Sequence, residues 1–225
     1  MVDGSTSSSD ANGPVGSRPQ RAADLRSGDV VYASPQAVFD DAQPVMAGNM
    51  LLVMTADEDN IAGVYLDQMS TQAVANQLPA LAEKLTKPKV FFLGGTDVPD
   101  AVVALGQVAE EIALGSACAD GGSAEAALAG RAQIIDADER LAQIAITEDG
   151  QLGVPVSRLR LFVGFTELSR TEVDEWLSEG AVQFQRAVAD DVFGTKPGEG
   201  WRQLMKRRPF PENLFSTWAE HPERN

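Results

Sequence analysis

A single histidine and a single cysteine set the outer limit of what this 225-residue chain can do chemically. A Ser-His-Asp or Cys-His pair would have to recruit His221, next to the C-terminus. Such a tail is a poor place to hold a base within hydrogen-bond reach of a nucleophile. Structural zinc needs about four ligands, mostly Cys or His, so no metal is expected. Cys118 cannot form an intramolecular disulfide, which fits a reducing cytoplasm. Its neighbours are Ala117, Ala119 and Asp120, with no Lys, Arg or His nearby to draw out the thiolate, so it reads as a silent thiol.

The carboxylates offer little more. Asp57-Glu58-Asp59 could hold a hard cation, but an EF-hand loop counted from Asp57 would need Gly and Glu where Ala62 and Gln68 stand. A solvated turn is the better reading. Asp174 and Glu175 are neighbours on an expected helix and so point apart, which suits an exposed acidic face and not an acid–base pair. Lys206-Arg207-Arg208 is the one basic run, at the end of an expected helix where cations favour the terminal carbonyls. Gly94-Gly95 follows a strand, but neither G-x-G-x-x-G nor G-K-[ST] is present, so these glycines read as a turn or a close backbone approach. No catalytic residue and no cofactor is assigned.

Around these residues the pattern is that of an ordinary globular chain. Apolar residues are 44% and charged residues 23%, which excludes collagen-like and wholly disordered chains. The formal charge of −15 argues against a general DNA binder. No run long and apolar enough to span a bilayer occurs, and the N-terminus lacks the basic and apolar regions of a signal peptide.

Residues 1–24 are rich in Ser, Gly, Asp and Pro and lack aromatics, so they are expected to be a disordered tail whose removal leaves stability unchanged. The body is expected over 25–225. Gly28–Ala33 reads as a strand. Met50–Met54 and Ile61–Leu66 read as a hairpin across a polar turn. Val74, Leu78, Leu81, Ala82 and Leu85 have helical spacing over 71–86, with a break near Pro79. Lys89–Leu93, Gln133–Ile135, Leu141–Ile146, Arg158–Val163 and Ala181–Val188 read as strands, the fourth with Leu159, Leu161 and Val163 on one face. Val45–Gly48 is a weak strand signal, Cys118–Gly122 a loop, and Asp190–Phe193 a loop or short strand. Segment 99–114 suits helix or strand. Ser169 and Glu172 form a capping box opening a helix that Gly180 stops. Trp201, Leu204 and Met205 share one face of a second helix, ended by Pro209 and Pro211.

Phe91-Phe92-Leu93-Gly94-Gly95, and the stretch from Arg160-Leu161-Phe162-Val163-Gly164-Phe165 through the acidic helix to Trp201, resemble the YqgE/AlgH family in an actinobacterial-looking branch. Gly28-Asp29-Val30-Val31 and Gly63-Val64-Tyr65-Leu66 resemble its early strands. Departures are clear. The family's Leu-Asn-Arg-Pro is here Leu66-Asp67-Gln68-Met69, the proline after Gly-Gly is Thr96, and the Gly-Trp of its second motif is Glu167-Leu168.

The resemblance implies a single α+β domain with a mixed, partly barrel-like β-sheet and flanking helices, and favours strand over 101–109. It implies no established reaction. Relatives are often labelled transcriptional regulators. The expectation is therefore a cytoplasmic, non-catalytic interaction or regulatory protein acting through an unknown protein partner, without direct DNA or membrane binding. The alternative is a small-molecule-binding protein or weak enzyme with ligand-binding residues Gly94, Gly95, Thr96, Gly164 and Phe165, since ligand sites often lie where apolar strands end.

Overall fold

The structure is a computed structural model that describes residues 20–39, 50–109, 130–194, 196 and 198–217. Val45–Gly48, Cys118–Gly122, His221 and residues 1–19 of the expected tail lie outside them.

Several strands read as continuous apolar runs because both of their faces are buried. In β1 (Asp29–Ala33) and β2 (Met50–Ala56), Val30, Tyr32, Met50 and Leu52 face a central core, while Val31, Leu51 and Val53 face an outer one. β5 (Val90–Leu93), β6 (Val102–Val108) and β9 (Val156–Val163) do the same in a second sheet. Phe92, Leu105 and Phe162 point to the central core and Phe91, Ala104, Leu159 and Leu161 away from it.

The remaining strands are β3 (Asn60–Tyr65), β4 (Met69–Ala73), β7 (Ala132–Asp136), β8 (Leu141–Ile144), β10 (Thr166–Ser169) and β11 (Val182–Arg186). The first sheet has the order β10-β3-β2-β1-β11 and the second β4-β5-β9-β6-β8-β7. All pairings are antiparallel except β5 with β9, where Phe92 lies beside Phe162 and Leu93 beside Val163. The α+β class is as expected, but the described strands form two sheets and close no barrel. Segment 101–109 is strand, as the resemblance implies.

Helices cover the sheets. They are α1 (Pro35–Phe39), α2 (Pro79–Ala82), α3 (Arg170–Ser178), α4 (Ala189–Phe193) and α5 (Gly200–Lys206). Ser169 Oγ caps α3 by accepting from the Glu172 N–H at 3.1 Å, and Gly180 ends it at φ +70°. The turn between β2 and β3 is closed by Asp57, whose Oδ1 accepts from the Asp59 and Asn60 N–H groups.

Three expectations change. The helix expected over 71–86 is strand β4, a 3₁₀ turn at Val74–Asn76 and the single turn α2. Val74, Leu81 and Leu85 do reach one apolar cluster, so their spacing is real, but it comes from successive turns and not one helix. Pro79 has no N–H and so takes the first turn of α2, which a continuous helix could not accommodate. Asp190–Phe193 belongs to helix α4, because Asp191 Oδ2 accepts the Val188 N–H and caps the turn.

The third concerns the tail. Gln20–Asp24 belong to the folded body. Ala22 is buried, its N–H donates to Asp174 Oδ1 at 2.6 Å, and its carbonyl accepts from Arg170. Gln20 brackets the Phe184 backbone, donating at 2.7 Å and accepting at 3.0 Å. Ala22 and Leu25 complete the apolar cluster beneath α3, a long-range contact that tail composition does not reveal. Removing residues 1–24 is therefore expected to cost about 2 kcal/mol, through lost hydrogen bonds and apolar burial. In thermal denaturation this is a fall of about 5 °C. An unchanged midpoint would refute the docking.

Candidate functional site

The expected ligand residues are brought together, but backbone against backbone. A Cβ added to Gly94 would overlap the Gly164 carbonyl oxygen, one on Gly95 the Phe165 carbonyl carbon, and one on Gly164 the Gly95 oxygen. Gly164 also adopts φ +74°, which L side chains rarely take. Close approach of two chain segments thus accounts for all three glycines. Asp97 pins the crossing by accepting from Thr166 Oγ1 and the Glu167 N–H, and these bonds hold its carboxyl below the usual range. Phe165 packs on the central core and Thr96 is exposed.

A cavity of about 610 Å³ opens beside the same two strands, and none of these five residues lines it. Leu66, Phe92 and Phe193 give it apolar walls, and Asp67, Arg160 and Asp191 bring charge into it. The apolar half is inherited from the central core, to which all three wall residues belong. Leu66 and Asp67 directly follow β3, and Asp191 arrives on α4.

Arg160 is the structural surprise. It sits in the middle of an apolar strand and is 3% exposed. Its guanidinium donates to the carbonyls of Val192 and Gly194, the latter at 2.8 Å, and so ties the end of α4 to β9. It also stands 4.2 Å from the centroid of the Phe92 ring, a cation–π contact. Its Nε is buried without a hydrogen-bond partner. Burial pushes its pKa down to about 10, against the pull of Asp67.

Asp67 has no hydrogen bond or ion pair to a described residue. Burial and the neighbouring Asp191 push its carboxyl up to about 6, while Arg160 pulls the other way. Gly200, which opens α5, makes room for it, since a Cβ there would overlap Asp67 Oδ1. Asp191 is also held above its usual range by burial, opposed by Arg207, which donates to its Oδ2 at 2.7 Å. The other cations at the rim are engaged: Arg158 with Asp190, Lys196 with Glu199, and Lys206 with Gln203.

An unpaired, partly buried carboxylate costs stability, and the sign is definite. The folded state binds the Asp67 proton more tightly than the unfolded chain, so stability falls as pH rises from about 4 to about 6 and stays lower above that. Asp67→Asn removes this cost. The variant is expected to be more stable than the wild type by about 1–2 kcal/mol at neutral pH, a value discounted for partial solvent access. The two should converge below about pH 4. Urea midpoints at the two pH values measure this, and a variant less stable at neutral pH would contradict the assignment.

The other sequence candidates are occupied structurally. Asp174 receives the Ala22 N–H, Asp57 closes its turn, and Arg208 donates to Glu212 and Gln185. Among the described residues no group of three or more His, Cys, Asp and Glu side chains could hold a metal ion, and no helix is long and apolar enough to cross a membrane.

Sequence reasoning missed Asp67 and Arg160. Two signals pointed to them. Arg160 interrupts the apolar face that Phe162 occupies in β9, and Asp67 puts an ionisable group where the resembling family has a neutral Asn.

Fold and cavity together define an α+β domain of two open sheets with a partly charged cavity beside β5 and β9. No family model matches the chain. It is 29% identical over 204 residues to a UPF0301 protein of Mycobacterium leprae, covering 88% of each chain. It is 26% identical over 198 residues to one of Corynebacterium efficiens, covering 88% of this chain and 90% of the relative. The crystal structure of a Corynebacterium diphtheriae protein superposes with a TM-score of 0.69 at 25% identity, covering 86% of this chain and 93% of that one. The solution structure of AlgH from Pseudomonas aeruginosa, also UPF0301, shares the fold with a TM-score of 0.54 at 15% identity, covering 92% of this chain and 98% of that one. The chain is thus similar to the UPF0301 proteins of actinobacteria, as its resemblance to the YqgE/AlgH family implies, and it shares the fold of AlgH.

Proposed function

We propose that this protein is a non-catalytic, cytoplasmic binding domain whose ligand is a small polar molecule held in the cavity between Phe92, Arg160 and Asp67. One observation carries the reading: polar groups converge on an apolar-walled cavity, and one of them, Asp67, has no hydrogen-bond or ion-pair partner among the described residues. The cavity lies beside β5 and β9, and Gly94, Gly95, Thr96, Gly164 and Phe165 do not line it. Among the described residues lining the cavity no nucleophile–base pair accompanies Asp67, which is why binding is preferred to catalysis.

The test is native mass spectrometry of the full chain after incubation with a bacterial metabolite extract, beside Gln203→Trp. Gln203 lies on the exposed face of α5 and lines the cavity, so a bulky residue there blocks the site without entering the core. A small molecule retained by the wild type and lost in the variant is the expected result. Retention of none, or equal retention by both, would overturn the proposal.

A regulatory role is compatible with this reading if the effect passes through a protein partner. The basic run supports that route, because Arg207 and Arg208 are engaged with Asp191, Glu212 and Gln185. DNA affinity comes largely from cations that neutralise phosphates, and here 18 basic residues face 33 acidic ones. No binding to duplex DNA is expected at about 150 mM salt, where non-specific binders show dissociation constants of roughly 10⁻⁴ to 10⁻⁶ M. Salt-dependent micromolar binding in an anisotropy titration would contradict this.

A further inference from the structure

We propose that Asp67 is the recognition residue for an organic cation, so that the cavity takes a ligand with an ammonium or amidinium head and an apolar body. This deepens the reading of the cavity as a ligand site and rests on it.

The argument follows the charged groups that face Asp67. From α4, Asp191 accepts the Val188 N–H and is paired with Arg207, and Asp190 is paired with Arg158 of β9. From the start of α5 and the segment before it, Glu199 is paired with Lys196. From β9, Arg160 is bound to two backbone carbonyls and stacked on Phe92. At the end of α5, Lys206 bonds Gln203. Asp67 alone among them makes no hydrogen bond or ion pair to a described residue. A carboxylate has acceptor sites for several donors and no donor of its own when ionised. What the described residues do not supply at this position is therefore a donor.

An anionic ligand fits less well. It would lie beside Asp67 and Asp191, and apart from the fully buried Arg160 Nε the Arg and Lys side chains lining the cavity are already engaged within the protein. A cation meets the opposite conditions. It pairs with Asp67, its hydrocarbon part meets Leu66 and Phe193, and the chain's charge of −15 draws it in from solution. The fold also retains a group whose ionisation lowers its own stability, the usual mark of a residue kept for a site and not for packing.

The experiment uses simple probes on the full ¹⁵N-labelled chain. Butylamine and acetamidine are titrated at about pH 7.5 and at about pH 5, with acetate and inorganic phosphate as anion probes. Both cations are expected to shift the amides of Phe92, Gly194 and Gly200. With the carboxyl pushed up to about 6, only about a tenth of it is ionised at about pH 5, so affinity should fall about tenfold there. Asp67→Asn should abolish the shifts in a chain that remains folded, since that change relieves a destabilising charge.

Binding that survives Asp67→Asn within about twofold, or that ignores pH, would overturn the proposal. Shifts of the same amides by acetate or phosphate, removed by Gln203→Trp, would also overturn it while leaving the cavity a ligand site. No shift from any of the probes overturns the cation assignment alone. The extract experiment judges the ligand site separately.

Discussion

Trp201→Ala is expected to destabilise the protein by about 4 kcal/mol, the largest effect of any single change considered. Trp201 is buried, faces the central core with Leu204 and Met205, and donates its indole N–H to the Ala33 carbonyl at 2.7 Å. Truncating a buried Trp typically costs about 3–5 kcal/mol through lost transfer energy and the cavity left behind. It would also leave the buried carbonyl at the end of β1 without this donor. Trp201→Phe should recover much of the packing but not the hydrogen bond, so a loss of about 1–2 kcal/mol is expected. Urea denaturation of the three proteins tests this, and an unchanged midpoint for Trp201→Ala would remove Trp201 from the core.

Arg186→Ala is expected to cost about 3 kcal/mol. Arg186, at the end of β11, donates to Asp29 Oδ1 at 3.0 Å, to Asp136 Oδ2 and to the Ser27 carbonyl. Both carboxylates are 4% exposed, whereas the arginine side chain is 46% exposed. Asp29 belongs to the first sheet and Asp136 to the second, so one guanidinium braces the two sheets. Removing one partner of a buried pair costs about 3–5 kcal/mol because the remaining charge stays uncompensated, and the exposed arginine places this case at the low end. Arg186→Lys should restore only part of the loss, since an ammonium cannot reproduce the planar fork that serves both aspartates. A drop of less than about 1 kcal/mol in Arg186→Ala would mean that water replaces the arginine without penalty.

The geometry around Arg186 also explains the opening of β1. Gly28 has φ +85°, and a Cβ there would lie 2.8 Å from Arg186 Nη2. The turn before the strand must therefore be glycine, both for the backbone conformation and for the approach of the brace.

Apolar content and spacing by themselves determined the most apolar strands, though not β4, β10 or the choice of strand for β6, because a short run of large side chains that must leave water on both faces has few other ways to be buried. Met50–Met54, Phe91–Leu93 and Arg158–Val163 fall in strands on this ground, and the Trp201, Leu204 and Met205 face was legible from helical spacing. Glycine pairs announced close backbone approach, and Gly94 and Gly164 do meet.

Spacing could not say whether Val74, Leu81 and Leu85 reach their cluster from one helix or from successive turns, because both arrangements place them on one side. Nor could it fix the fate of Gln20–Asp24, whose hydrogen bonds run to Arg170, Asp174 and Phe184. The cavity was the least legible part. A charge on Asp67 or Arg160 has the same meaning in sequence whether it faces water or a half-buried wall. Only tertiary packing, which brings Asp191 and Arg160 to Asp67 and supplies no donor among the described residues, turned a departure from a family motif into a partly buried carboxylate at the cavity.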